Sequence, residues 1–484
     1  MFQRLKSAWD VLTHKNDTFE SSVVRKILEF NHSGKRKLMI AGENYYDVDN
    51  DILNRQITRY TENGAMEDRS KSNNKLAHGF MKNIVDEKVG YLLSRPFSFS
   101  SEDKTYIDKV EKLLGKKLKY RMYNQGIESA NKGIGWWQIY INDKGEFGYI
   151  KIPSEQCIPI WEDNSHEELK AMIRYYIVTE WSGERKKEIT KVEYYTPEGV
   201  EYFRLDNKNL IPEDREQGPL PHYKKGEESK VWGKVPFIAF KNNSRELPDI
   251  KFVKSLIDDY DLRRSDISNI IEECKNFIYV LKNYGGEDLG EFIADLNYYR
   301  AVKTDTDGGV DTLTPKIDNQ AAKEHFEELK RDIKLFSSSV NMDLDKFGSA
   351  PSGVSLKFLY SGLDLKCNNM EMEFKNAWDQ LKYFIDMYLL ETEQGNYTNS
   401  EIDIIFNRDI IINETDSIDN CSKSKGVISD ETIIENHPWV KDPQLEKQRL
   451  EEESKKTIDF DLIPGGEGDG QESEVLGEKA GEVN

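Results

Sequence analysis

The chain has 484 residues, and its 88 acidic and 68 basic side chains leave a net charge of −20 at pH 7. This charge excludes a non-specific electrostatic grip on nucleic acid, because such binding depends on Lys and Arg neutralising phosphates. No apolar run approaches the length of a membrane span, and the four cysteines form no CxxC pair, so we expect a soluble intracellular protein with reduced thiols.

The first half of the chain changes from a helical to a strand-like pattern. Apolar residues recur at helical intervals over Asn50–Arg95, interrupted by the polar stretch Glu62–Asn74, which predicts two helices and a loop. Pro96 ends the second helix, because proline lacks the backbone donor. Aromatic and β-branched runs separated by turns predict an antiparallel meander over Gly135–Leu205.

A boundary is expected near the middle of the chain. Asp206–Lys234 is polar and contains three prolines, so it reads as a loop, and Val235–Phe240 follows as an extended segment. We place a boundary at Asn242–Pro248. Beyond it, apolar residues at helical spacing predict a long amphipathic helix over Asp249–Lys275.

A small α/β insertion follows this helix. Phe277–Leu281 reads as a strand and Leu289–Leu296 as a short helix. Two further strands are expected at Tyr299–Val302 and Val310–Thr314, joined by a turn at Asp305–Gly309.

Two more long helices are predicted beyond the insertion. The first runs over Asn319–Ser338 and the second over Val354–Glu391, and the Ser- and Gly-rich loop Ser337–Gly353 lies between them. A strand at Ile402–Ile412 follows.

The end of the chain is polar. Helical segments are expected over Asp430–Lys456, and the Gly- and Glu-rich tail from Pro464 onward is expected to be disordered.

The sequence holds no motif of catalysis or nucleotide binding. The seven histidines have no metal-ligand spacing, and the GxxxxGK[ST] and GxSxG patterns are missing. The acids around Gly308 have Lys316 where a calcium loop needs its closing glutamate, so a hairpin turn is favoured. The pairs Asp258-Asp259 and Asp343/Asp345 fit Mg²⁺, but so acidic a chain supplies such pairs by chance. We therefore predict no catalytic residue, no metal and no cofactor.

Four strings, together with the order of the elements, carry a family resemblance. They are Asn73–Lys75 through Val89–Leu93, Val235–Asn243 with Leu256–Tyr260, Ser352–Tyr360, and Asn436–Val440 with the acidic helix after it. In this order the chain resembles the portal proteins of tailed double-stranded-DNA bacteriophages, in the branch typical of siphophages of Gram-positive hosts.

The resemblance implies an α+β fold, as an elongated subunit with a β-rich wing, long stem helices, a small α/β clip and a helical C-terminal crown. The implied parts are the wing 1–248, a stem helix 249–275, the clip 276–318, a stem helix 319–338, the tunnel loop 339–353, a long kinked helix 354–391, a wing strand 392–415, the crown 416–459 and a disordered acidic tail 460–484.

It also implies a structural, non-enzymatic role. Portal proteins form a dodecameric ring at one capsid vertex, through which double-stranded DNA is packaged and ejected. The implied partners are further copies of the chain, the terminase large subunit, head-completion or adaptor proteins, and the major capsid and scaffolding proteins, with no membrane. The implied location is the virion, after assembly in the host cytoplasm.

Two sets of residues follow from the resemblance. The DNA-facing residues of the tunnel loop would be Met342, Asp343, Leu344, Asp345, Lys346, Phe347 and Gly348, with Lys357 on the following helix. The clip contacts would be Glu287, Asp288, Arg300 and Lys303. The alternatives are a plain connection between two helices for the loop, and ordinary solvated charges for Lys357 and the clip residues.

Two other functions compete with the portal hypothesis. The acidic clusters suggest a metal-dependent nuclease or another DNA-processing enzyme of a phage or mobile element. A different head or adaptor component is disfavoured, because it would lack two long helices bracketing an α/β insertion.

Overall fold

The computed structural model describes most of the chain. The chain divides into two compact units, one of residues 1–348 with 357–410 and the other of residues 349–356 with 411–484. The described residues are 18–61, 64–69, 71–182, 185–206, 209–213, 218–273, 278–282, 288, 290, 293, 298–299, 307–313, 319–340, 353–408, 414–440, 443, 446–447 and 449–453.

Ten helices are described with complete bounds. They are α1 Phe19–His32, α2 Gly34–Tyr46, α3 Phe80–Leu93, α4 Lys104–Leu114, α5 Leu118–Lys132, α6 Lys254–Glu273, α7 Asn319–Ser337, α8 Gly353–Glu391, α9 Glu414–Lys423 and α10 Asp430–Asn436. Side chains cap several of their N-termini. Thr18 accepts a hydrogen bond from the Ser21 N–H, and Ser33 accepts one from the Arg36 N–H.

The strands form small antiparallel sheets. They are β1 Thr58–Thr61, β2 Gly64–Glu67, β3 Ser98–Ser100, β4 Ile134–Ile141, β5 Phe147–Ile152, β6 Cys157–Trp161, β7 Leu169–Ser182, β8 Arg185–Thr196, β9 Gly199–Asp206, β10 Asn209–Pro212, β11 Tyr223–Lys225, β12 Glu228–Lys230, β13 Phe237–Lys241, β14 Ile278–Lys282, β15 Gly309–Leu313 and β16 Asp403–Ile405. The largest sheet has the order β10-β9-β8-β7-β6, and a second has the order β13-β4-β5. The other strands pair in twos, as β1-β2, β11-β12, β14-β15 and β16-β3.

Helix α5 and the β13-β4-β5 sheet are joined at a glycine. Gly133 ends α5 with φ +84°, and a Cβ there would lie 2.2 Å from the carbonyl oxygen of Glu246. Only glycine fits this close approach without strain. Next to it, the Asn242 N–H donates to the Gly133 carbonyl at 2.9 Å, which extends the β13-β4 ladder by one pair.

The main hydrophobic core of the first unit lies around α3 and α8. Aromatic side chains from both sheet and helix meet there. Phe240 of β13 lies 5.1 Å from the ring of Phe374 on α8 and 4.5 Å from Trp137 on β4. Two smaller cores lie against the five-stranded sheet, one of them beneath α1. Among the described helices, none is both long and apolar enough to cross a membrane.

The α+β class is confirmed, as are the extended segment and the long helices as α6, α7 and α8. The predicted meander is antiparallel but divides between two sheets, because β4 and β5 lie with β13 and the later strands form the five-stranded sheet. The predicted first helix of 50–95 is wrong, because Asp51–Asn54 is a single 3-10 turn and the hairpin β1-β2 follows it. Threonine and tyrosine favour a strand there, and Asn63-Gly64 is a hairpin signal that the apolar spacing hid.

Three smaller expectations are also corrected. The loop predicted over 206–234 contains β10, β11 and β12. The predicted strand 402–412 is a strand only over Asp403–Ile405, and its residues 409–413 lie outside the described ones. Tyr299 lies in a helical stretch instead of a strand, and the tail after residue 453 lies outside the described residues.

Candidate functional site

The helices α6 and α7 pack side by side through aromatic and charged contacts. The rings of Tyr260 and Phe326 meet edge to face, with centroids 5.4 Å apart. The guanidinium of Arg264 lies 5.2 Å from the centre of the same Phe326 ring. Nε2 of His325 lies 3.1 Å from a carboxylate oxygen of Asp259. These contacts hold the two helices together as one unit.

A two-stranded ladder joins the far ends of this helix pair. Strand β14 follows α6 and β15 precedes α7, and they pair antiparallel from Ile278 opposite Leu313 to Lys282 opposite Gly309. Lys282 also forms an ion pair with Asp311 across the ladder. Of the hairpin predicted between 299–302 and 310–314, the second strand is present as β15 and Tyr299 is helical, whereas residues 300–306 lie outside the described ones. The partner of β15 is the strand on the other side of the insertion, a non-local pairing that turn signals cannot reveal.

Polar side chains of α6 form hydrogen bonds with the segment 45–78. Asp261, which is 1% exposed, accepts hydrogen bonds from Asn50 at 2.5 Å and contacts Nδ1 of His78 at 2.6 Å. Ser265 accepts a bond from the Leu76 N–H at 2.9 Å. Burial raises the pKa of Asp261, and the bonds from Asn50 and His78 oppose that rise. Helix α6 is thus held on two sides, by α7 and by this segment.

The end of α7 is anchored where the loop begins. Ser338 adopts φ +56°, a left-handed conformation that ends the helix. The Val340 N–H donates to Oε1 of Glu87 on α3 at 3.1 Å, and Nζ of Lys366 on α8 donates to the Ser337 carbonyl at 2.9 Å. Three helices therefore fix the point from which residues 341–352 depart.

A buried cluster of charges lies next to this anchor. Asp249, 3% exposed, is 2.9 Å from Nζ of Lys366 and 3.4 Å from Nζ of Lys88. The Asn242 side chain donates to Asp249 at 2.9 Å and accepts from Lys88 at 2.5 Å. Through Lys366, the cluster connects the start of the α6 segment with the end of α7.

In this cluster the single carboxylate of Asp249 forms ion pairs with two ammonium groups, those of Lys88 and Lys366. Burial opposes the ionisation of Asp249, but the charges of Lys366 and Lys88 lower its pKa to about 2. Burial lowers the pKa of Lys88 to about 8, and the charge of Asp249 offsets only part of this. Lys366 adds a repulsive charge to Lys88, so Asp249 stabilises both lysines.

Few of the site residues predicted from the resemblance fall in the described part of the chain. Residues 342–348, Glu287, Arg300 and Lys303 lie outside it. Lys357 lies in the first two turns of α8, and its side chain is outside the description. Asp288 is exposed, and its carboxylate accepts a hydrogen bond from the Gly290 N–H at 2.9 Å.

The acidic pair considered for Mg²⁺ is already occupied by protein partners. Asp258 accepts bonds from Tyr45 and from Lys254, the latter at 2.8 Å. Asp259 accepts from Arg263 at 3.2 Å. Among the described residues, no group of three or more His, Cys, Asp or Glu side chains is placed to hold a metal ion. The pair Asp343/Asp345 lies outside those residues.

The buried charge cluster was missed by the sequence-based reasoning, although one signal for it existed. Lys88 occupies the apolar face of α3, four residues after Ile84 and four before Leu92. A lysine on such a face needs a buried counter-charge. Nothing in the sequence pattern identifies Asp249 as that counter-charge, because the two are joined only by the tertiary fold.

The chain matches a family model over residues 26–459, the phage portal protein family described as SPP1 Gp6-like. It is 31% identical to the portal protein of Bacillus phage SPP1 over 440 residues, covering 90% of this chain and 86% of the relative. The chain belongs to the phage portal protein family. It is also 31% identical to the portal protein of Clostridium phage phiCD119 over 437 residues, covering 87% of this chain and 93% of that portal protein.

The helices α6 and α7 lie on either side of the insertion that contains the β14-β15 ladder. The protein is a structural component of a phage particle.

Proposed function

We propose that the chain forms the ring at one capsid vertex through which double-stranded DNA is packaged and ejected, and that this ring is a docking platform for the terminase motor and head-completion proteins. The observation that carries the proposal is the pair of hydrogen bonds that fix the end of α7, just before residues 341–352 begin. A loop held at its base by three helices suits a segment that projects toward a passing duplex. The ring has no catalytic activity of its own.

Membership of the family supports the same division of the chain as the resemblance. We assign residues 1–248 and 392–415 to the wing, 249–275 and 319–338 to the stem, 276–318 to the clip, 339–353 to the tunnel loop, 354–391 to the long helix, 416–459 to the crown and 460–484 to the tail. In the clip, Glu287, Asp288, Arg300 and Lys303 are assigned to contacts with the motor or with neighbouring subunits. Charges at a rim set orientation and encounter more than affinity.

Ring assembly is supported by an exposed apolar stripe on α8. Phe358, Leu365 and Met372 are 77%, 66% and 58% exposed and lie seven residues apart, close to two helical turns. Leu335 and Phe336, near the end of α7, are also exposed. An apolar stripe of this kind is typical of a protein interface. We infer that neighbouring copies of the chain cover it, in the heterologous contact that closes a ring.

The tunnel loop is suited to passage of DNA more than to binding. Asp343 and Asp345 outnumber Lys346 within residues 342–348, and the whole chain carries −20. Tight binding to duplex DNA needs several cationic contacts with phosphates, and these would stop a sliding polyanion. Lys357 is assigned to the mouth of this passage. The loop guides or gates the duplex, and a separate motor drives it.

Electron microscopy of the purified chain tests the ring directly. We expect particles with a central hole, and a strictly monomeric protein at micromolar concentration and varied salt would overturn the proposal.

Deleting residues 343–348 tests the role of the loop. We expect rings of normal shape, because the deletion lies beyond the anchor at Val340, and loss of DNA packaging or retention in particles carrying the variant. Replacing the same six residues with a Gly/Ser linker is the matched control, since it keeps the loop length and removes the side chains. Normal packaging with both variants would show that the loop is only a connection between helices.

A further inference from the structure

The β1-β2 hairpin forms an arm on the segment that is bonded to α6. Its strands pair antiparallel from Thr58 opposite Glu67, and the Asp68 N–H extends the ladder by donating to the Ile57 carbonyl at 2.7 Å. Residues 58–60 and 64–67 are all exposed, so the described part of the chain leaves both faces of this hairpin uncovered. A two-stranded hairpin with no covered face is marginally stable in water. The arm is therefore a candidate for contact with a partner.

Both ends of the arm are fixed to α6 or to each other. Before the arm, the guanidinium of Arg55 forms an ion pair with Asp266 at 2.6 Å. After it, the Asn74 N–H donates to the side chain of Asn269 at 2.6 Å. The Asn73 side chain donates to the Arg55 carbonyl at 3.3 Å, which joins the two ends. The base of the arm is thus held in place while its strands stay exposed, as suits a segment that contacts another molecule.

The side chains of the arm are of the kinds that protein interfaces favour. Directly opposed residues of a hairpin point to the same face, so Arg59 and Met66 share one face, and Tyr60 lies on the other. Tyr60 is 87% exposed and Met66 is 52% exposed. Tyrosine, methionine and arginine are all enriched at the centres of protein interfaces.

A complementary surface lies on α7. This helix packs on the rest of the subunit through buried residues such as Phe326. Its opposite face carries Glu328, which is exposed, and Leu335, which is 66% exposed. These two residues are seven positions apart, about 10 Å along the helix axis. The outward face of α7 therefore offers a negative charge for Arg59 and an apolar side chain for Met66.

The arm and the outward face of α7 belong to two different sides of one subunit. The arm is bonded to α6, and α7 packs on another side of α6. A ring of identical copies closes through a heterologous contact, which joins one side of a subunit to a different side of the next. Within its own helix Glu328 forms an ion pair with Arg331 at 3.9 Å, and exposed pairs of this length contribute little. Its carboxylate can therefore accept a second partner.

We propose that the arm of each subunit packs on the outward face of α7 in the neighbouring copy of the chain, with Arg59 paired to Glu328 and Met66 against Leu335. The inference rests on the ring proposed above and adds a second contact to the one at the apolar stripe on α8. The charge pair sets the register of the contact, and the apolar side chains supply most of its free energy. In an isolated subunit the arm stays in solvent.

Photo-cross-linking of the full-length chain tests the contact. Met66 is replaced by p-benzoyl-phenylalanine, and assembled rings are irradiated. We expect covalent products of two or more copies, in which the cross-linked peptide comes from residues 319–337 of another copy. Subunits dissociated by dilution should give no such products. The same amino acid in place of Tyr120 on α5, which is 71% exposed, is the matched control and should give no cross-link to residues 319–337.

Charge reversal tests the pairing of Arg59 with Glu328. Arg59→Glu places two carboxylates against each other, so the protein concentration at which half of the subunits are assembled should rise by about tenfold at low salt. The rise should be smaller in about 0.5 M salt, because salt screens exposed charges. Adding Glu328→Arg to the same chain should restore assembly, because the reversed charges match again. Lys187→Glu, at an exposed position of β8, is the matched control and should leave assembly unchanged.

The outcomes separate this contact from the ring itself. Rings without cross-links to residues 319–337 would overturn the contact and leave the ring in place. Absence of rings in electron microscopy would overturn both. Cross-links that form only in assembled phage particles, and to a protein other than this chain, would assign the arm to a different partner. Failure of Glu328→Arg to rescue Arg59→Glu would overturn the pairing of these two side chains.

Discussion

The two halves of α8 differ in what their side chains do. From residue 374 onward the helix is a core element, and its fully buried side chains are Phe374, Ala377, Trp378, Leu381, Phe384, Ile385 and Leu389. Before that point one face is buried, but Phe358, Leu365 and Met372 project from the opposite face. One helix thus provides both the centre of the subunit fold and a surface that requires a partner. Substitutions in the two halves should therefore separate folding from assembly.

The largest effect is expected in the buried half. Phe374→Ala should lower the free energy of unfolding of the subunit by about 3–5 kcal/mol, because it removes a fully buried ring that packs on Phe240 and leaves a cavity. Urea denaturation of the dissociated subunit measures it. The control is Met372→Ala, two residues away on the exposed face, which should cost less than about 0.5 kcal/mol. Equal losses for the two variants would remove the distinction between the halves.

A somewhat smaller effect is expected at the buried charge cluster, where Lys366 in the exposed half of α8 pairs with Asp249. Asp249→Asn leaves Lys88 and Lys366 without their shared carboxylate, and we expect a loss of about 3 kcal/mol in unfolding free energy. Lys88→Met should cost clearly less, because Asp249 keeps Lys366 and Asn242 as partners. A greater loss for Lys88→Met than for Asp249→Asn would contradict the arrangement.

The acid dependence of stability provides a second check on Asp249. Its pKa in the fold is about 2, below the ordinary value of 3.8, so the unfolded chain binds the proton first as the pH falls. Stability from this group is present above pH 4 and is lost between about pH 4 and pH 2, amounting to about 2 kcal/mol. Chemical denaturation at several pH values should show this loss in the wild type and a smaller one in Asp249→Asn.

How much of the fold could be predicted from the sequence depends on whether a feature leaves a local signal. The long helices were found because their apolar spacing is a local signal, and the family was identified from four strings in the right order. The ladder between β14 and β15 was not, because a strand pairing across a long insertion leaves no local signature. The hairpin β1-β2 was not predicted, because apolar residues in this segment recur at the spacing of a helix.

The candidate site divides in the same way. The proposal of a tunnel loop came from the resemblance, but the contacts of Val340 with Glu87 and of Ser337 with Lys366, at the end of α7, depend on three helices meeting. Local patterns predict helices and strands, whereas counter-charges and contacts between distant helices are properties of the assembled fold.

The smallest effect on the subunit should accompany the largest effect on the ring. Leu365→Ser replaces an apolar side chain that is 66% exposed, so the unfolding free energy of the dissociated subunit should change by less than about 0.5 kcal/mol. In the ring, the same serine would leave an apolar contact unmade at every subunit boundary, and sedimentation velocity should show rings dissociating at protein concentrations where the wild type stays assembled. Leu363→Ser is the matched control, because Leu363 is 2% exposed and its loss should unfold the subunit instead. Stable rings with Leu365→Ser would mean that neighbouring copies meet elsewhere, and that the apolar stripe on α8 serves a different partner.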